Sequence, residues 1–185
     1  MKKLFFLTIV IISLTALPIL LFAADIEIVE NTGFESGLTP WEDRNCTLNH
    51  SSNYAYSGTY SGHATGRSAS WMGIKQSLLG KITNGATYTV SGWIRISAES
   101  DYIKMSVEQA DDNGTQYIGI AEGTGTNTGW VQLSGTFTVN ITGTVSTFDL
   151  YFEGPAPGVD IWVDDASFYG PGISTDATAN FYMGT

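Results

Sequence analysis

From Ile26 onward, apolar and polar positions alternate in short runs rich in β-branched and aromatic residues, each closed by Gly, Asn, Asp or Pro. A period of two broken by turn residues predicts many short strands. They are expected near 26–30, 46–50, 59–65, 74–79, 86–97, 102–110, 116–121, 130–139, 145–153 and 159–168, and no segment shows the spacing of an amphipathic helix. Asn84-Gly85, Asp111-Asp112-Asn113-Gly114, Asn127-Thr128-Gly129 and Gly154-Pro155 supply turns between them. About ten strands in roughly 145 residues predict an all-β, two-sheet β-sandwich of the jelly-roll type.

The same alternation sorts side chains by face, because successive residues of a strand point to opposite sides of the sheet. In the run 147–153, Phe148, Leu150 and Phe152 take the core side, while Tyr151 and Glu153 share the other side with Thr147 and Asp149. In the run 116–121, Ile118 and Ile120 are the core residues and Tyr117 faces outward. An outward Tyr on each of two strands is the start of a binding surface. A flat aromatic ring covers the C–H face of a sugar at low entropic cost, and charged groups hydrogen-bond the hydroxyl rim.

Lys2 and Lys3 precede an apolar run from Leu4 to Ala24. Residues 1–24 therefore read as an export signal, with an uncleaved membrane anchor as the alternative. Residues 25–170 form one domain, and the Ser-, Thr-, Ala- and Asp-rich stretch 171–185 after Gly170-Pro171-Gly172 reads as the start of a linker or a disordered tail. That stretch marks the chain as an expected fragment of a longer modular protein. Its expected location is extracellular and its expected state monomeric.

Charged residues make up only 14% of the chain against 12% aromatics, a balance that suits secreted all-β proteins. The formal charge is −10, and losing Lys2 and Lys3 with the signal makes it −12, which argues against nucleic acid or an anionic membrane surface as partner. Cys46 is the single cysteine, so no intrachain disulfide can form. His50 and His63 lack the pattern of a zinc site or a catalytic triad. Sequons begin at Asn45, Asn49, Asn113 and Asn140.

Trp41-Glu42-Asp43-Arg44, Gly66-Arg67-Ser68-Ala69-Ser70-Trp71 and Gly85-Ala86-Thr87-Tyr88-Thr89-Val90-Ser91-Gly92-Trp93 occur in that order. Leu150-Tyr151-Phe152-Glu153-Gly154-Pro155 and Ile161-Trp162-Val163-Asp164-Asp165 follow. This series resembles the carbohydrate-binding modules of family 22 over residues 26 to 170. Asn31-x-x-Phe34-Glu35-x-Gly37 is shared with the wider group that includes families 4 and 9. Met72-Gly73-Ile74 stands where the family usually has Gly-Pro after its Trp.

The resemblance implies a jelly roll with a cleft across one sheet that binds xylan, sometimes mixed-linkage β-glucan, beside a covalently linked glycoside hydrolase, usually a xylanase. It implies Arg44 as a hydrogen-bonding group of the cleft, Trp71 and Tyr117 as aromatic contacts, and Tyr151 with Glu153 as a further aromatic and polar pair. For Arg67 two roles stay open, a structural arginine that ties a loop down or a ligand contact, and Trp41, Trp93, Trp130 and Trp162 are expected in packing.

Related modules commonly hold a structural calcium between the N-terminal segment and the last strand, which implies Glu35 and Asp164, or Asp165, as ligands. Backbone oxygens of a turn such as Ser57-Gly58 would complete its six to eight ligands. Two other classes remain open: a small secreted glycoside hydrolase, for which no paired-carboxylate motif is evident, and a surface or adhesion domain without a sugar site.

Overall fold

The computed structural model describes residues 24–173. The expected export signal and tail fall outside the described residues, apart from Ala24 and residues 171–173. The strands are β1 (Asp25–Glu27), β2 (Glu42–Arg44), β3 (Thr47–Ser51), β4 (Ser61–Thr65), β5 (Gly73–Ser77), β6 (Thr87–Ile96), β7 (Asp101–Asp111), β8 (Gly114–Gly125), β9 (Val131–Thr138), β10 (Thr147–Glu153) and β11 (Ile161–Pro171). No helix occurs among the described residues, and so none there is long and apolar enough to cross a membrane.

Two antiparallel sheets result. One runs β3-β4-β11-β6-β9 with β1 added against β11, and the other runs β2-β5-β10-β7-β8. Their inner faces meet over a core to which the second sheet contributes Ile74, Ile103, Met105, Val107, Phe148, Leu150 and Phe152, all fully buried. The first sheet answers with Val90, Ile94, Ile96, Ile161, Val163 and Phe168. Each such side chain contributes about 1.5–3 kcal/mol by leaving water, and the alternation that aims it inward sends its neighbours to the outer face. The all-β, two-sheet expectation is borne out.

Three local departures have physical causes. The strand expected at 26–30 ends at Glu27, after which Ile28 and Val29 turn into the core. β2 was not foreseen, because Glu-Asp-Arg has low strand propensity; its pairing to β5, Arg44 opposite Gly73, holds it in place. β8 extends to Gly125, four residues beyond the expected end, through a bulge where Met105 pairs with Ala121 but Ser106 with Gly119. The extra residue is Ile120, and the bulge leaves both Ile118 and Ile120 half-buried at the margin of the core.

Gly73 shows how tightly β5 meets β10. A Cβ placed there would lie 1.9 Å from the Phe152 carbonyl oxygen, a distance that only backbone movement can relieve. Gly73→Ala is expected to cost about 2 kcal/mol or more by forcing the two strands apart. A urea midpoint equal to the parent's would contradict this.

Candidate functional site

The outer face of the five-stranded sheet is built by register. Arg44 lies across from Gly73, Tyr151 pairs with Lys75 on one side and Ser106 on the other, and Glu108 pairs with both Asp149 and Tyr117. β2 thus places Arg44 on the face, β10 places Tyr151 and Glu153, β7 places Glu108 and β8 places Tyr117. Trp71 enters from the loop between β4 and β5. Together they line an open cleft of about 860 Å³. All five residues expected at the site, Arg44, Trp71, Tyr117, Tyr151 and Glu153, are brought together there.

Arg44 is the centre of the group. Its Nη2 donates to Glu108 Oε2 at 3.1 Å, its Nη1 lies 3.8 Å from Glu153 Oε2, and Nη1 also donates to the Trp71 carbonyl. The guanidinium carbon sits 4.1 Å from the centre of the Tyr151 ring, 5.4 Å from that of Trp71 and 5.5 Å from that of Tyr117. One planar cation therefore spaces three rings and separates two carboxylates. Trp71 and Tyr117 keep 43% and 61% of their surface exposed, so each retains ring surface that a flat ligand can cover.

Tyr151 needs a correction. Parity places it on the outer face, as observed, but it is only 1% exposed because Arg44 lies across it. It forms the floor of the cleft rather than an open stacking platform, and burial, with Glu153 nearby, pushes its hydroxyl up to about 12. Burial likewise raises the Glu153 carboxyl above its ordinary value, opposed by the hydrogen bond from Ser106 Oγ at 3.1 Å and by Arg44. Sequence reasoning passed over Glu108 and Lys75. Lys75 Nζ bridges Asp149 at 2.9 Å and Glu42 at 3.7 Å, and the outward parity of Glu108 within 102–110 was the available signal.

Arg67 is only 2% exposed and takes no part in the cleft surface. Its guanidinium donates to the carbonyls of Met72 and Pro155 at 2.8 Å, of Ser70 at 3.2 Å and of Val159. It clips the loop that carries Trp71 to the loop that follows β10. Trp41 stacks on Phe34 at 5.0 Å in the core. Trp93 lies under Tyr56 at 3.8 Å with Trp130 against the same ring, and Trp162, 6% exposed, stacks on His63 at 4.0 Å. Cys46 donates to the Gly73 carbonyl, and burial raises its thiol, the opposite of an activated nucleophile.

Glu35 and Asp164 reach the same loop from opposite ends of the domain. Glu35 Oε1 accepts the amides of Thr59 and Tyr60 at 2.9 and 2.8 Å, and Asp164 Oδ2 accepts those of Tyr56 and Ser57 at 2.7 and 3.1 Å. Asp165 Oδ1 accepts Ser57 Oγ at 2.9 Å. Asp164 is fully buried, and that burial pushes its carboxyl up to about 6. Among the described residues neither Glu35 nor Asp164 forms a salt bridge, and no three His, Cys, Asp or Glu side chains converge as a metal site. The donor chemistry, hard carboxylate oxygen beside a turn, is that which calcium accepts, with backbone carbonyls needed for most of the ligands.

A two-sheet sandwich with an open, ring-lined and charge-lined cleft on one outer face has the architecture of a carbohydrate-binding module. The carbohydrate binding domain family (CBM_4_9) matches residues 27–158. Endo-1,4-beta-xylanase A of Thermotoga maritima is 34% identical over 143 residues, covering 75% of this chain and 14% of that enzyme. The enzyme of the same name from Thermoanaerobacterium saccharolyticum is 35% identical over 162 residues, covering 83% and 14%. The chain thus spans a small part of the length of these relatives. Among solved structures, the CBM22-1 xylan-binding domain of Paenibacillus barcinonensis Xyn10C superposes with a TM-score of 0.71 at 25% identity, covering 83% of this chain and 99% of that one. This chain belongs to the carbohydrate-binding modules, in family 22.

Arg67→Ala removes the donors of several enclosed carbonyls at once and is expected to destabilise the domain by about 3 kcal/mol. Arg67→Lys, with one compact ammonium in place of a planar fork, should recover less than half of the loss. Denaturant titration of both variants reads this out, and a lysine variant as stable as the parent would show that the fork geometry does not matter.

Proposed function

We propose that this chain is a non-catalytic module that binds xylan in the cleft around Arg44, with mixed-linkage β-glucan as a second ligand, and that it targets a covalently linked glycoside hydrolase to the polymer. The observation that carries this is the gathering of Trp71, Tyr117 and Tyr151 around one guanidinium in an open cleft. Two exposed rings offer faces to successive sugars while Arg44, Glu108 and Glu153 offer charge-assisted hydrogen bonds to hydroxyls. The naming of relatives as xylanases and of similar structures as xylan-binding domains supports the same ligand.

Binding without cleavage fits the electrostatics. A glycosidase needs one carboxyl free to give a proton and a second free to attack or to activate water. Here Glu108 and Glu153 both face Arg44, within 3.1 and 3.8 Å, and that shared cation holds them as hydrogen-bond acceptors. Affinity per site is modest, since each stacked ring contributes about 0.5–1.5 kcal/mol beyond its buried area. Tethering turns that modest affinity into a high local concentration of the attached enzyme.

The proposal includes export of the mature domain as a monomer and a structural calcium at the Tyr56–Tyr60 loop. Glu35 and Asp164 would hold it, Asp165 and backbone carbonyls of the turn completing the shell. When bound, the ion would neutralise a buried carboxylate and tie the first loop of the domain to its last strand.

Isothermal titration with xylo- and cello-oligosaccharides tests the ligand. Trp71→Ala and Tyr117→Ala should each weaken binding near tenfold, about 1–2 kcal/mol, with the circular dichroism of the parent retained. Parent-like affinity in both would remove the cleft from consideration. Purified protein should be retained on insoluble xylan and release no reducing sugar; measurable release would favour the hydrolase class. Chelation should lower the melting temperature by several degrees if calcium stabilises the native state, and an unchanged melt with no metal in elemental analysis would defeat that part.

A further inference from the structure

The cleft holds its cations in an unusual state. Arg44 is flanked by Glu108 at 3.1 Å and Glu153 at 3.8 Å. Lys75 is flanked by Asp149 at 2.9 Å and Glu42 at 3.7 Å. Two positive charges thus face four carboxylates, and Asp43 adds a fifth at the rim. Lys104, across from Glu153 in the register, stands also across from Glu122 on its other side. Lys104 forms no ion pair among the described residues, but Arg44 and Lys75, the two cations that line the cleft, are already paired with acid groups of the protein, and against the lining carboxylates Glu42, Asp43, Glu108 and Glu153 the balance of the cleft is negative.

A hydroxyl can enter such a network by accepting from Arg44 or Lys75 and donating to the surplus carboxylate oxygens. A carboxylate can only accept: it has no hydrogen to give to the surplus carboxylate oxygens, it competes with Glu108, Glu153, Asp149 and Glu42 for the same two cations, and it meets the net negative charge of the cleft. The side chain of Arg44 is itself only 12% exposed, so turning it toward an incoming anion would strip Glu108 and Glu153 of their partner.

We propose that this arrangement makes the cleft select uncharged stretches of its polysaccharide and refuse chains bearing uronic acid substituents at the bound residues. Glu42 and Asp43, on the short strand β2 that also carries Arg44, act as the outer part of this charge filter. The inference rests on the reading of the cleft as the polysaccharide site and adds to it a rule for which segments of the polymer are recognised. Uronic acid branches along a polymer would then divide it into stretches that the module occupies and stretches that it leaves.

The test is calorimetric titration of the intact protein with a neutral linear xylo-oligosaccharide and with one of equal length bearing a single uronic acid, each at about 20 mM and about 300 mM salt. The acidic ligand should bind about tenfold more weakly at the lower salt, and its affinity should rise as salt screens the repulsion, while the neutral ligand stays nearly constant. The double variant Glu42→Gln, Asp43→Asn should narrow the gap between the two ligands. Equal affinity, or an acidic ligand that binds more tightly and weakens with salt, would overturn the charge filter while leaving the polysaccharide reading intact. Failure of the neutral ligand to bind at all, with the acidic ligand also silent, would sink both.

Discussion

The Arg44 guanidinium carries one positive charge into a place where Glu108 and Glu153 bring two negative ones, and where the centres of three aromatic rings lie between 4.1 and 5.5 Å from it. A guanidinium can satisfy all of these neighbours because it is flat, permanently charged and able to donate along its edge while stacking through its faces. An ammonium could not, and an apolar side chain would leave two carboxylates facing each other. The shape of the cleft follows from this: Trp71 stands on one side and Tyr117 on the other because the cation spaces them, and Tyr151 is sealed beneath it. A surface that would otherwise be a flat sheet becomes a cleft with a charged floor.

The sandwich supplies what that interaction requires. β2 is only three residues long and has little tendency to be a strand, yet its pairing to β5 fixes Arg44 opposite Gly73. Gly73 in turn lets β10 approach, which brings Glu153 and Tyr151 to the same neighbourhood. Arg67 works out of sight, holding the loop of Trp71 with donors that no other side chain could provide in that number. The cleft is therefore positioned by two arginines with different roles. One, its side chain 12% exposed, faces the ligand side, and the other is buried and faces carbonyls.

A separate set of contacts fastens the far side of the molecule. Glu35 and Asp164 both capture amides of the Tyr56–Tyr60 loop, while Tyr56 lies flat on Trp93 of the other sheet. These contacts join the start of the domain to its last strand, and they leave the cleft sheet free to carry the binding surface alone. The division gives the module one rigid scaffold and one recognition face, a design that suits a domain whose work is attachment.

Much of this was legible in the chain. Parity along 147–153 identified Phe148, Leu150 and Phe152 as core and set Tyr151 and Glu153 apart, because a regular strand in a two-sided sheet permits only that arrangement. Motif order pointed to Arg44, Trp71 and Tyr117, and the apolar alternation determined two packed sheets. What the chain could not declare was distance across strands: that Tyr151 is covered, that Glu108 joins Glu153 on one cation, that a bulge opposite Met105 shifts the face of β8, and that Glu-Asp-Arg becomes a strand at all. Local preference decides which way a side chain points, whereas burial, charge pairing and register arise only when strands distant in sequence are laid side by side, and those belong to the tertiary structure.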